Sequence, residues 1–165
     1  MNWRSSHPLL EVNMHIRLTE RDFNPWLEIQ DYQNNQDQLA GKFGATSVFV
    51  GTMRDFNQGD GVRNMFLEHY PGMTEAQLAH IVELAETQWQ ILDCLLIHRI
   101  GEVYPDDVLV LVAVWSAHRG DAFDASRYIM ESLKKQAPFW KKETLTSGQE
   151  RWVEKNSDGY QQTPK

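Results

Sequence analysis

The run Val108-Leu109-Val110-Leu111-Val112-Ala113-Val114-Trp115 decides the architecture. It is apolar at every position rather than at alternate ones, so a strand built from it is covered on both faces and lies inside a sheet. Ser116-Ala117-His118-Arg119-Gly120 follows, and then a helical pattern. Asp121 and Asp124 occupy its first turn, and Ala122, Ala125, Ile129 and Leu133 mark a buried face. Pro138 disfavours helical backbone at Ala137, which ends the helix near Gln136.

Working outward from that core, Ile91 to Arg99 reads as a neighbouring strand, followed by a turn through Gly101 to Asp107 that contains Pro105. Thr74 to Trp89 is a helix, with Leu78, Ile81, Val82, Ala85 and Trp89 on one face and a capping box expected between Thr74 and Gln77. Val62 to Tyr70 alternates as a strand does, and Phe43 to Met53 is apolar at its centre. The two are expected to form a hairpin with Arg54 at its tip or shoulder. From Met14, His15 to Thr19 alternates as a short strand, Asn24-Pro25-Trp26-Leu27 reads as a helical turn, and the polar stretch Asp31 to Gln38 reads as a surface loop. A last short strand is expected at Arg151-Trp152-Val153-Glu154. Paired strands with two main helices between them make an α+β domain with a mixed or antiparallel sheet. That domain spans residues 14–156, with an extension over 1–13 and a polar tail over 157–165.

Composition narrows the function. Acids outnumber bases 23 to 16, for a formal charge of -7, which argues against the extended basic surface that nucleic acid requires. No apolar run approaches the roughly 20 residues of a membrane span, and no signal-peptide core is present, so a cytoplasmic protein is expected. Cys94 is the single cysteine and lies in an apolar run, where a buried, inert thiol is expected. The six histidines show no metal-ligand spacing, and Gly59-Asp60-Gly61 is a turn without a nucleotide fingerprint, so no metal and no cofactor are expected.

Against this acidic background stands a cationic stretch: His118, Arg119, Lys134, Lys135, Lys141 and Lys142. Lys134 and Lys135 are explained by the dipole of the preceding helix alone. The break at Pro138, however, turns the chain so that Lys141 need not continue along the same face. Two amines on either side of a proline corner can then converge on one pocket, where partial desolvation lowers a lysine pKa toward the range useful for proton transfer. Phe139 and Trp140 either wall that pocket or pack in the core. Arg119, at a strand end before a helix, suits a phosphate, with His118 as donor or acid–base group or as an ordinary structural histidine. Ser116 shares a strand face with His118, but no nucleophile elbow or third partner supports a hydrolase.

Several blocks together resemble one family, in order and spacing, over roughly Met14 to Asn156. They include Gly51-Thr52-Met53-Arg54, Leu67-Glu68-His69-Tyr70-Pro71-Gly72-Met73, Ile97-His98-Arg99-Ile100-Gly101, Ser116-Ala117-His118-Arg119 and Ala137-Pro138-Phe139-Trp140-Lys141-Lys142-Glu143. The family is that of the large catalytic subunit of molybdopterin synthase, MoaE. The resemblance implies an α/β-hammerhead fold and a homodimer within a heterotetramer, each subunit binding a small ubiquitin-like sulfur carrier. It implies a sulfurtransferase that converts cyclic pyranopterin monophosphate to molybdopterin with two sulfurs from the carrier's C-terminal thiocarboxylate. By position it makes Lys134 and Lys141 catalytic and places Thr52, Met53, Arg54, His118, Arg119, Lys142 and Glu143 on the substrate. The competing expectation is a non-catalytic module that holds an anionic metabolite or a ubiquitin-like tail in the same pocket.

Overall fold

The computed structural model of the protein describes residues 13–154 and Gly159. The expected extension over 1–13 and tail over 157–165 lie outside the described residues, apart from Asn13, which opens the first strand, and Gly159. In chain order the elements are β1 (Asn13–Thr19), α1 (Pro25–Asn34), β2 (Ala45–Thr52), β3 (Phe56–Asn57), β4 (Asp60–His69), α2 (Met73–Gln88), β5 (Asp93–Arg99), β6 (Gly101–Val103), β7 (Val108–Ser116), α3 (Arg119–Gln136), β8 (Phe139–Leu145) and β9 (Glu150–Trp152). A 3₁₀ turn covers Asp37–Leu39.

The apolar run is β7, an inner strand of a four-stranded sheet in the order β1-β5-β7-β2. β1 runs parallel to β5, and the other neighbours are antiparallel, so this sheet is mixed. Alternation sends Val110, Val112 and Val114 toward α2 and α3, where they pack with Ile81, Val82, Ala125 and Ile129. Leu111, Ala113 and Trp115 point the other way, against Leu39 and the partly buried Ile29 and Tyr32 of α1. Helices cover both faces, which is why β7 is apolar at every position from Val108 to Trp115.

The stretch expected as a loop over Asp31–Gln38 is instead helical through Asn34 and then forms the 3₁₀ turn. Asn24 caps this third helix, its Oδ1 accepting from the N–H groups of Trp26 and Leu27 at 3.0 and 3.3 Å. The polar side chains of α1 have buried partners. Tyr32 donates to Asp93 at 2.8 Å, and Gln33 accepts from Trp115 Nε1 at 3.0 Å. Polarity here marks hydrogen-bonded contact with the sheet rather than exposure.

The second sheet runs β3-β4-β8-β9, with β6 also paired to β4. The expected hairpin of residues 43–53 with 62–70 does not form, because β2 pairs with β7 in the first sheet while β4 pairs with β8 in the second. Residues 53–55 cross between sheets, and the actual hairpin is the small one of β3 with β4. Its tip residues Gln58 and Gly59 both have positive φ, as a two-residue hairpin turn requires. The capping box also shifts: α2 starts at Met73 behind Gly72, whose N–H is bonded by Glu75 at 2.6 Å, while the buried Thr74 hydroxyl accepts from Tyr70 N–H at 3.0 Å. Residues beyond Pro138, read only as a bend, form β8 against β4. Gly101, at φ +76°, lets the chain leave β5 and join the second sheet as β6 within two residues.

Candidate active site

The two sheets meet at a cavity of about 400 Å³. Its floor comes from the end of β2 and the start of β7, one wall from the last turns of α3, and the opposite wall from the inward face of β8. On β8 the pleat turns Lys141 and Glu143 inward and leaves Trp140 exposed on the other side. Lys134, on the last turns of α3, enters from across the corner made by Ala137 and Pro138. Thr52, Met53 and Arg54 complete the group of expected site residues that the fold brings together.

The side chains of Lys134 and Lys141 hydrogen-bond to each other. Burial, followed by the neighbouring charge of Lys134, lowers Lys141 to about 7. Burial also lowers Lys134, while contact with Lys141 and the carboxylate of Glu131 work the other way. Two ammonium groups in contact in a half-dry cavity cannot both keep their full charge, so near neutrality the pair releases a proton and one amine becomes a base. Arg54 adds a fixed positive charge at the floor, its guanidinium 4.9 Å from the ring centre of Phe56.

His98, at the end of β5, also lines the cavity. Burial holds it neutral, down to about 3. Its Nδ1 lies 2.6 Å from the Arg99 carbonyl, so the neutral ring carries its proton there, and the ring stacks on Phe139 at 4.0 Å. Phe139 therefore backs the site by packing on His98, and Trp140 stands edge-on to Tyr70 on the outer face of the sheet, 4.8 Å between centroids.

Three expected residues lie elsewhere in the subunit. His118 and Arg119 sit at the opposite end of β7, exposed beside Gly44 in a second depression. Gly44 is tied there by close approach, since a Cβ would fall 2.3 Å from the Ala117 carbonyl oxygen. Lys142 points to the outer face, 3.7 Å from Glu150 and 5.7 Å from the Trp152 ring centre. Ser116 donates its hydroxyl to the Gln90 carbonyl at 2.7 Å, a structural bond. Cys94 is buried, and burial pushes its thiol far up. Sequence reasoning missed His98, Glu131 and Asn57 as lining groups, and Arg151 behind them. Strand alternation in β8 would have pointed to the Lys141 and Glu143 face, had residues 139–145 been read as a strand.

The family model described as MoaE protein matches residues 23–136. The molybdopterin synthase catalytic subunit of Ralstonia nicotianae is 50% identical over 139 residues, covering 84% of this chain and 76% of that relative. That of Pasteurella multocida is 53% identical over 111 residues, covering 67% and 73%. Among solved structures, the molybdopterin biosynthesis MoaE protein of Burkholderia ambifaria superposes with a TM-score of 0.71 at 42% identity, covering 88% of this chain and 92% of that one. Among the described residues, no helix is long and apolar enough to cross a membrane.

Proposed function

We propose that this chain, which belongs to the MoaE family, converts cyclic pyranopterin monophosphate to molybdopterin, taking two sulfurs from the C-terminal thiocarboxylate of a small ubiquitin-like carrier subunit. It acts in the cytoplasm, through a catalytic domain spanning residues 14–156. The meeting of the Lys134 and Lys141 amines in one cavity carries this function. An anionic thiocarboxylate entering there is held by the charged amine, while the neutral one handles protons. The carrier's sulfur forms a bond to a carbon of the pterin side chain as the carbon–oxygen bond at that carbon breaks, the departing oxygen keeping the electron pair and taking a proton from the charged amine, which leaves the carrier attached as a thioester. Water then cleaves the acyl carbon–sulfur bond, the neutral amine taking the water's proton, so that the carrier leaves as a carboxylate and the sulfur stays on the pterin. A second carrier repeats the sequence. A lysine near 7 favours this over simple capture of an anion, for which a permanently charged arginine would serve better.

The phosphate-binding groups come from two subunits. β2 is a sheet edge of eight residues with Val48 and Phe49 exposed, a surface that natural proteins cover. Antiparallel pairing of two such edges about a two-fold axis between Val48 and Phe49 sets Ala45 of one copy opposite Thr52 of the other. The depression at Gly44, His118 and Arg119 of the partner subunit then faces Met53 and Arg54, and one cationic site forms from both. Incubation with thiocarboxylated carrier and cyclic pterin tests the function: dithiolene product is expected from the natural chain and is lost in Lys134→Ala and Lys141→Ala. Normal product from those variants, folded and carrier-bound, would sink the assignment.

A further inference from the structure

Glu143 lies in the cavity wall two residues beyond Lys141, on the same face of β8, and its side chain is only 6% exposed. A carboxylate so placed has to be compensated. Both its oxygens are: Oε1 accepts from Asn57 Nδ2 at 2.7 Å, and Oε2 accepts from Arg151 Nε at 2.9 Å. Arg151 stands directly opposite Glu143 in the β8–β9 ladder. The rest of its fork reaches the small hairpin: Nη1 donates to Asp60 Oδ2 at 2.8 Å and Nη2 to the Asn57 carbonyl at 3.0 Å. One guanidinium thus ties β9, the cavity wall and both strands of the β3–β4 hairpin.

We propose that Arg151 is a positioning residue for Lys141, taking up the charge of Glu143 and pinning that carboxylate to the hairpin so that the neighbouring amine meets a compensated negative charge. This rests on the reading of Lys141 as the group that handles protons. The charges that face Lys141 are Glu143 on its own strand, Lys134 and Glu131 on α3, Arg54 beyond β2, and the neutral His98 on β5. Glu143 favours the ammonium form and Lys134 opposes it. Arg151 and its partner Asp60 stand behind Glu143. Without Arg151, Glu143 acts on Lys141 undiluted, and the amine holds its proton to higher pH.

The test uses two readouts on the full chain with its carrier: the pH–rate profile of dithiolene formation, and the pH dependence of acylation at Lys141 by an amine-specific reagent, read by mass spectrometry. In Arg151→Met both midpoints are expected to rise by about one pH unit. Arg151→Lys, which keeps the charge but not the fork, is expected to recover most of that shift. Adding Glu143→Gln to Arg151→Met is expected to bring both midpoints back to or below the natural value. An Arg151→Met protein that is slower at every pH with both midpoints unmoved would overturn the proposal, leaving Arg151 as a hairpin brace. If Arg151→Met does not fold, Glu143→Gln alone decides: a lowered midpoint supports the proposal and an unmoved one overturns it. A natural chain that makes no molybdopterin would sink the functional reading instead, while acylation would still decide the role of Arg151.

Discussion

Lys134 and Lys141 are seven positions apart, yet they reach one cavity from different elements, the end of α3 and the third residue of β8, and bond to each other there. Burial, reinforced by their closeness, makes one of them a base at neutral pH. Lys141→Arg keeps a cation that does not lose its proton. The variant is expected to bind carrier as the natural chain does and to lose dithiolene formation by about 100-fold, the lower range for a missing acid–base group. Near-normal turnover would reduce Lys141 to an electrostatic anchor.

The lowered value of Lys141 also bears on stability. Between about 7 in the folded state and the ordinary 10.5, the unfolded chain holds a proton that the folded one has released. Stability therefore rises with pH through that window, and the cost of burying the ammonium is fully present below about 7. Lys141→Met is expected to be more stable at pH 6.5 by about 1–2 kcal/mol, allowing for the solvent that still reaches the amine. The gain should vanish above pH 10.5, as denaturant midpoints at the two pH values would reveal.

Much of this was readable beforehand, for physical reasons particular to each segment. The unbroken apolar run of β7 could only be an inner strand, and Ile129 and Leu133 at helical spacing fixed α3 beneath it. β8 was hidden because the charged Lys141 and Glu143 interrupt its inward face between the apolar Phe139 and Leu145, so the alternation that reveals a strand is lost. α1 was hidden because Tyr32 and Gln33, polar by type, serve buried partners. The false hairpin of β2 with β4 arose from sequence nearness, which does not register that residues 53–55 pass from one sheet to the other. Only the fold could reveal that His118 lies at the far end of β7 from the lysine pair.

That separation yields a test of the proposed two-subunit site. A dimer of Lys134→Ala with His118→Ala contains one pocket with a natural Lys134 that faces the natural His118 of the partner subunit. Two inactive variants, unfolded and refolded together, are expected to regain about a quarter of normal activity, from random pairing into half mixed dimers that each hold one intact site. Val48→Lys on both chains should abolish the recovery by placing like charges at the paired edge. Full activity of His118→Ala alone would remove that residue from the site.

A last prediction concerns Glu86 on α2, away from the cavity. One of its carboxylate oxygens is buried without a hydrogen-bond partner among the described residues, and burial, followed by the charge of Glu83, raises it from 4.5 to about 7. Here the folded chain holds the extra proton, so stability falls as pH rises from about 4.5 to about 7 and stays reduced above. Glu86→Gln removes the ionisation but keeps the shape. It is expected to stabilise the fold above pH 7 by about 1 kcal/mol, discounted for the screening that a partly exposed group retains, with no gain at pH 4. Thermal unfolding of the two proteins at pH 4 and pH 8 separates this from better packing, because improved packing would raise the melting temperature equally at both.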